Sequence, residues 1–348
     1  MLSRAFTKPK RSPRGGESSL RSTASISEYE QDIIVGFMDD IPLISFEEYN
    51  INSNYNYSPV NSNKVVSRNS SEWTRMLTLR QVLRASVGVM GESPLGMTEK
   101  VVLLGGKICA VKRFRKVAIR KREFGRRIER VALVGNQCEY LVPVTAYLYA
   151  KRIKFVVSDY YPMGSLADLL SGAREQGHTA LDWKHRFKIV QSIGKAIAYI
   201  HSQNPPREKH LQLNLHGNIK SSNVMIDIDF TARLSDYGFV QLADQVKVED
   251  TGQADQPPTP PPERALIETI SQESDIYNFG VVLMDILGWP KVSSSRVEKV
   301  DLFEFCVEGK EKKQAFKVLD IALSCTNSLP DARPTIEQIL SCLGDHVK

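Results

Sequence analysis

The sequence predicts an α+β chain of two lobes: a small β-rich lobe with one major helix, then a larger, mostly helical lobe. Three observations carry this. β-favouring runs joined by glycines lie before residue 159, and apolar residues at 3–4 spacing dominate after it. Composition also changes near residue 76, setting both lobes apart from a polar start. The expected boundaries are a disordered tail over 1–75, a first lobe over 76–158 and a second over 159–348, meeting near Ser158-Asp159-Tyr160.

The tail is assigned on composition. Residues 1–75 contain fourteen serines, and seven asparagines fall between Asn50 and Asn69, with no sustained periodicity. Such a segment buries too little apolar surface to offset its ordering entropy. It begins basic (Arg4, Lys8, Lys10, Arg11, Arg14) and turns acidic from Glu28 to Glu48. Ser12-Pro13 and Ser58-Pro59 match proline-directed phosphorylation, a two-residue pattern that chance also supplies.

The first lobe opens with a short helix at Leu79-Arg80-Gln81-Val82-Leu83-Arg84. Strand-like runs from Val101 to Leu104 and Ile108 to Val111 follow, and Gly105-Gly106-Lys107 between them reads as a hairpin turn. A basic helix is expected over 116–134 and a further strand from Lys154 to Val157. In the second lobe, Phe187, Val190, Ile193, Ile197 and Ile200 form the apolar stripe of a buried helix, and Ile276, Phe279, Val282, Leu283 and Ile286 form another. Short strand-like pieces, Val224 to Ile226 and Ala232 to Leu234, lie between these two helices. Gln314 to Cys325 and Pro334 to Leu343 repeat the helical pattern. Gln256 to Pro262 contains five prolines and reads as an irregular surface segment.

Composition excludes several classes. Apolar content of 42% and charged content of 25% are those of an ordinary globular chain. No apolar run approaches the ~18 residues that span a bilayer, and the start has neither a secretory apolar segment nor a glycine at position 2 for myristoylation. Five widely spaced cysteines argue for free thiols in a reducing compartment, and the six histidines show no metal-ligand spacing. The net charge of +6 is concentrated: nine of the eighteen residues from Arg113 to Arg130 are Lys or Arg. That stretch reads either as a solvated helix face or as a patch for an anionic membrane surface or an acidic partner. No nucleic-acid recognition motif accompanies it, so no nucleic-acid partner is expected.

The chemistry concentrates in His216-Gly217-Asn218-Ile219-Lys220-Ser221-Ser222-Asn223, followed thirteen residues later by Asp236-Tyr237-Gly238. This is the spacing of a protein-kinase catalytic loop and metal-binding turn. With Leu83-Arg84-Ala85-Ser86 and Ser274-Asp275-Ile276-Tyr277-Asn278-Phe279-Gly280, residues 79–343 resemble a plant receptor-like serine/threonine kinase domain of the leucine-rich-repeat class. The resemblance implies a bilobal protein-kinase-like fold, ATP and magnesium as cofactors, and other protein kinases or receptor complexes as partners.

Residue by residue, the resemblance is incomplete. Gly91-Glu92-Ser93-Pro94-Leu95-Gly96 occupies the phosphate-loop place: Gly91 and Gly96 remain, Ser93 replaces the middle glycine, and Pro94 removes an amide. Ala110-Val111-Lys112 resembles the strand whose lysine contacts the α- and β-phosphates. Arg127 falls at the place of the helix glutamate that holds that lysine, so repulsion between Arg127 and Lys112 is expected. Glu123 is the better carboxylate to rescue the pair, or else it forms an i,i+4 ion pair with Arg127. Asn223 and Asp236 are oxygen donors placed to ligate magnesium, although Asp236 could also cap a turn. Lys220 keeps its place, but Asn218 stands where the catalytic base belongs, and a neutral amide has almost no basicity. Gly217 replaces the arginine that receives an activation-loop phosphate, so switching by that route is not expected. Glu263 in Pro261-Pro262-Glu263 and Arg333 match a structural ion pair, and Asp275 matches the helix aspartate that braces the catalytic loop. The expectation is a pseudokinase, cytoplasmic or peripheral at the plasma membrane, that binds ATP weakly or not at all. The alternative is a weakly active serine/threonine kinase.

Overall fold

The computed structural model describes residues 43–45, 77–175, 181–204, 211–242, 270–288 and 309–344. A six-stranded antiparallel sheet forms the first lobe. Its strands are β1 (Ile44–Ser45), β2 (Ser86–Ser93), β3 (Gly96–Val102), β4 (Ile108–Phe114), β5 (Val144–Tyr149) and β6 (Lys154–Asp159), in the order β1-β5-β6-β4-β3-β2. The helix α1 (Leu79–Arg84) precedes β2, and Thr78 caps it through a reciprocal box with Gln81. The hairpin expected at Gly105-Gly106 joins β3 to β4, both glycines having positive φ.

Two differences from the sequence reading matter here. The basic helix α2 spans Lys121–Gly135, so residues 116–120 lead into it from outside the helix. The hydroxyl of Tyr149 donates to the Ile119 carbonyl at 3.1 Å, and the Arg120 backbone is extended at φ −74° and ψ 161°. Within the stretch read as a tail, Ile44–Ser45 pairs with Tyr147 and Ala146 of β5. Leu43 is buried with Leu77, Leu79, Val82, Leu148 and Phe155 in a cluster on one side of the sheet. Those apolar residues lie far apart in sequence, and burying them together offsets the ordering of this short segment.

The second lobe is built from α3 (Leu166–Glu175), α4 (Trp183–His201), α5 (Gln272–Leu287), α6 (Gly309–Cys325) and α7 (Ile336–Leu343). A small antiparallel pair, β7 (Val224–Ile226) and β8 (Ala232–Leu234), has the bounds the sequence gives. The stripes of α4 and α5 face the core as expected: Ile193, Ile197, Phe279 and Val282 are each at most 1% exposed, while Phe187 packs against the core partly buried. Gly194 lets α7 approach α4 closely, since a Cβ there would stand 2.9 Å from Leu340. The proline-rich segment Gln256 to Pro262 and Glu263 fall outside the described residues.

Candidate functional site

Between the sheet and the helical lobe lies a cleft of about 250 Å³, lined by Gly91, Ser93, Lys112, Lys220, Asn223 and Asp236 among others. It therefore gathers Lys220, the metal-site candidates and the nucleotide-site candidates other than Gly96 from four separate stretches of chain. Pockets that enclose a drug-sized ligand run to roughly 300–1,000 Å³, so this one is small.

The phosphate end comes from β2 and β3. Residues Gly91 to Gly96 form the tip of a hairpin in which Ser93 pairs with Gly96 across Pro94 and Leu95. The two retained glycines differ. A Cβ on Gly91 would meet nothing within 4 Å, whereas one on Gly96 would lie 1.8 Å from the Arg113 carbonyl oxygen. The packing of β3 against β4 therefore demands Gly96, whatever the cleft binds. Ser93, in the place of the middle glycine, turns its hydroxyl to the cleft and accepts a hydrogen bond from Lys112 Nζ at 3.3 Å.

Lys112 is buried on β4, and its ammonium lies 3.0 Å from Asp236 Oδ2. The expected loss of its tether is thus corrected: Asp236 and Ser93 hold the lysine. Nor does Arg127 confront it. Arg127 donates from Nε to Glu123 Oε1 at 2.6 Å and from Nη1 to the Gln241 carbonyl at 2.7 Å. Glu123 also pairs with Arg126, so it serves arginines on its own helix and does not rescue Lys112. Hydrogen bonds from Arg127 are the largest cause lowering the Glu123 pKa.

The helical lobe braces the catalytic loop. Asp275, fully buried at the start of α5, accepts from the His216 amide at 2.7 Å and the Gly217 amide at 2.8 Å. His201 Nε2 lies 3.3 Å from the same carboxylate. A second acid of α5, Asp285, accepts from Ser221 Oγ at 2.6 Å, an anchor the sequence reading missed. Ser221 sits beside Lys220, and Asp285 lies nearly three helical turns beyond Asp275 on the same helix, a spacing that matches no motif in the sequence. His216 is wholly buried, and burial lowers its pKa. Gly217 has φ +79°, and a Cβ there would stand 2.7 Å from Val240, so this backbone cannot carry the family's arginine without strain.

The groups that would meet a metal are also in place. Asn223 Nδ2 donates to the Asn218 carbonyl at 2.8 Å, which leaves its amide oxygen as the available donor atom. Asp236 sits at φ +63°, a left-handed backbone that an ordinary residue adopts at a cost and that recurs at functional sites. One amide oxygen and one carboxylate suit a magnesium ion that takes its remaining ligands from phosphates and water. Among the described residues no group of three or more His, Cys, Asp or Glu could hold a metal unaided. Burial lowers the Lys220 pKa, with Asp236 opposing that shift. Asn218 stands at the base position with its own amide donating to His216 Nδ1 at 3.2 Å. Arg333 donates to the Asn327 and Glu273 carbonyls at 2.9 Å and packs on the Tyr277 ring.

Residues 89–343 match the family model for protein tyrosine and serine/threonine kinases. Among curated proteins of Arabidopsis thaliana, the chain is 33% identical over 291 residues to "Probable inactive receptor kinase RLK902", covering 77% of this chain and 43% of that protein. It is 34% identical over 288 residues to "Inactive leucine-rich repeat receptor-like serine/threonine-protein kinase At1g60630", covering 77% and 42%. The chain thus spans less than half the length of these relatives. Its backbone resembles the pseudokinase domain of BIR2, an immune regulator of the RLK/Pelle family, with a TM-score of 0.63 at 23% identity, covering 88% of this chain and 90% of that one. It also resembles the maize SIRK1 kinase domain bound to AMP-PNP, with a TM-score of 0.57 at 24% identity, covering 81% and 97%. No described helix is long and apolar enough to cross a membrane. The ordered motifs, the two-lobed architecture and the match over most of its length place this chain in the protein kinase family, alongside plant receptor-like kinases.

Proposed function

We propose that this domain is a pseudokinase-type module that engages and regulates other kinases or receptor complexes through its kinase-shaped surface. One observation carries the reading: the base position holds Asn218, and no carboxylate replaces it in the loop. In phosphoryl transfer the base accepts the substrate hydroxyl proton, and losing such assistance typically costs ~10²–10⁴-fold. The state of Lys112 supports the same reading. Its charge faces Asp236 and Ser93, so a phosphate would have to compete for it. Asp236 spends one carboxylate oxygen on that pair, and Pro94 removes an amide from the loop that would cover the phosphates. On this reading ATP–magnesium binding is weak or absent.

Where ATP and magnesium do bind, Lys112 would meet the α- and β-phosphates, and Asn223 with Asp236 would hold the metal. The metal would supply charge neutralisation on the phosphates. That Lys112, Asn223 and Asp236 line one cleft favours the alternative, a weakly active serine/threonine kinase. Its transition state is largely dissociative, so positioning and electrostatics sustain some turnover without a strong base. A radiolabelled phosphotransfer assay with magnesium or manganese separates the readings: no transfer above a Lys112→Met control supports the pseudokinase, and sustained transfer supports the kinase.

The partners belong to receptor-kinase signalling on the strength of the relatives' names. The domain would then work in the cytoplasm, with the exposed cations Arg120, Lys121, Arg122 and Arg126 holding it peripherally at an anionic plasma-membrane surface. Co-sedimentation with phosphatidylserine vesicles at two salt concentrations tests this, since the attraction should fade with ionic strength. Nucleic acid has no part in this reading.

A further inference from the structure

Arg127 stands at the place of the helix glutamate, yet it is only 8% exposed and has its own partners. Its Nη1 reaches the Gln241 carbonyl, 114 residues away in sequence. Gln241 lies just beyond the Asp236-Tyr237-Gly238 turn. Its side chain pairs both ways with the Gln212 backbone: the Gln212 amide donates to Oε1, and Nε2 donates to the Gln212 carbonyl, each at 2.7 Å. The next carbonyl, that of Leu213, accepts from the Tyr237 hydroxyl at 2.5 Å. Tyr237 is itself the middle residue of the turn and packs beneath α2, where a Cβ on Gly135 would stand 3.9 Å from its ring. The bonds therefore close a ring running from α2 to the segment after the turn, to the segment before the catalytic loop, and back to the turn under α2.

We propose that Arg127, Gln241 and Tyr237 form a latch that holds α2 against the Asp236 turn, with neither a lysine–glutamate pair nor a nucleotide. A lysine–glutamate pair would tie α2 to the sheet. This latch ties it to the helical lobe. The chemistry suits the residues. The guanidinium fork spans a carboxylate and a carbonyl at once, which one ammonium cannot do in that geometry. A buried hydroxyl needs a partner, and the Leu213 carbonyl supplies one that the usual phenylalanine could not use. Val131 of α2 then presses on the turn, since a Cβ on Gly238 would stand 2.8 Å from it. Because α2 is fixed before anything binds, its outer face is pre-organised for a partner. The latch goes beyond the functional reading and holds whether or not the chain turns over ATP.

Hydrogen–deuterium exchange on the full chain, without nucleotide, tests it. Arg127→Met should speed amide exchange about ten-fold in α2 and equally in Leu211 to Leu215, which Arg127 does not touch. Tyr237→Phe, which removes one oxygen, should speed exchange in α2 as well as at Leu213. The double variant should exceed the larger single effect by little, because either loss already opens the ring. Arg127→Lys keeps the charge without the fork and should behave like Arg127→Met. Effects confined to the mutated segment, effects that multiply in the double variant, or a wild-type Arg127→Lys would each overturn the latch. If Arg127→Met does not fold, Tyr237→Phe decides alone: spread into α2 supports the latch, and confinement to the turn and Leu213 refutes it.

Discussion

The two sides of the cleft handle charge in opposite ways. On the helical side, Asp275 and Asp285 spend their carboxylates on the catalytic loop, fixing its backbone and Ser221. On the sheet side, Lys112 is held by the carboxylate of Asp236 and the hydroxyl of Ser93. The first arrangement is ordinary bracing and leaves the loop ready to present side chains. The second occupies the groups a nucleotide would need. The two sides therefore differ in what their acids hold: Asp275 and Asp285 hold the loop that carries Asn218, and Asp236 holds Lys112.

The largest expected effect breaks the bracing side. Asp275→Ala would leave two buried amides without acceptors, at ~1–3 kcal/mol each, so a loss of about 3 kcal/mol or more is expected in urea unfolding. A loss under about 1 kcal/mol would show that the loop holds itself. Next comes the sheet side. Lys112→Met should cost about 2 kcal/mol, because it strands the buried Asp236 carboxylate, discounted for an open cleft. A neutral outcome would mean the pair contributes shape and no stability.

Acid sharpens the comparison. His216 has a folded pKa below the ordinary value near 6.5, so between the two values the unfolded chain binds more protons. Stability should therefore fall as the pH drops below about 6.5 and be flat above it as far as this group is concerned. His216→Phe should remove that part of the slope, read as the urea midpoint at pH 8 against pH 5. The smallest effect concerns catalysis: Asn218→Asp alone should restore little phosphotransfer, less than about ten-fold, because positioning and charge stabilisation supply most of it. Adding Ser93→Gly should gain more than the two single changes imply, since groups acting as a unit are non-additive. Robust activity from Asn218→Asp alone would mean the lysine is free to serve a phosphate.

Much of this was legible in the sequence because it is local. β7 and β8 have the bounds their apolar runs give, and the α4 and α5 stripes are the buried faces. One local signal was passed over: Ser165 and Asp168 cap the start of α3 by reciprocal hydrogen bonds, a spacing that marks a helix start. The rest is long-range. A backbone carbonyl such as that of Gln241 has no sequence signature, so the outlet for Arg127 could not be read. Charge alone suggested that Arg127 repels Lys112, but a guanidinium on a long stem turns to whichever acceptors the fold brings near. Leu43 likewise joins the core only once β5 and α1 supply its neighbours.

If Asp236 and Ser93 keep Lys112 from a nucleotide, thermal unfolding with and without ATP–magnesium should reveal it. A ligand at 100 Kd adds ~2.7 kcal/mol to stability. A smaller gain is expected at millimolar ATP with magnesium, rising when Ser93→Gly releases one contact on Lys112. A large, metal-dependent rise in Tm for the unaltered chain would contradict it.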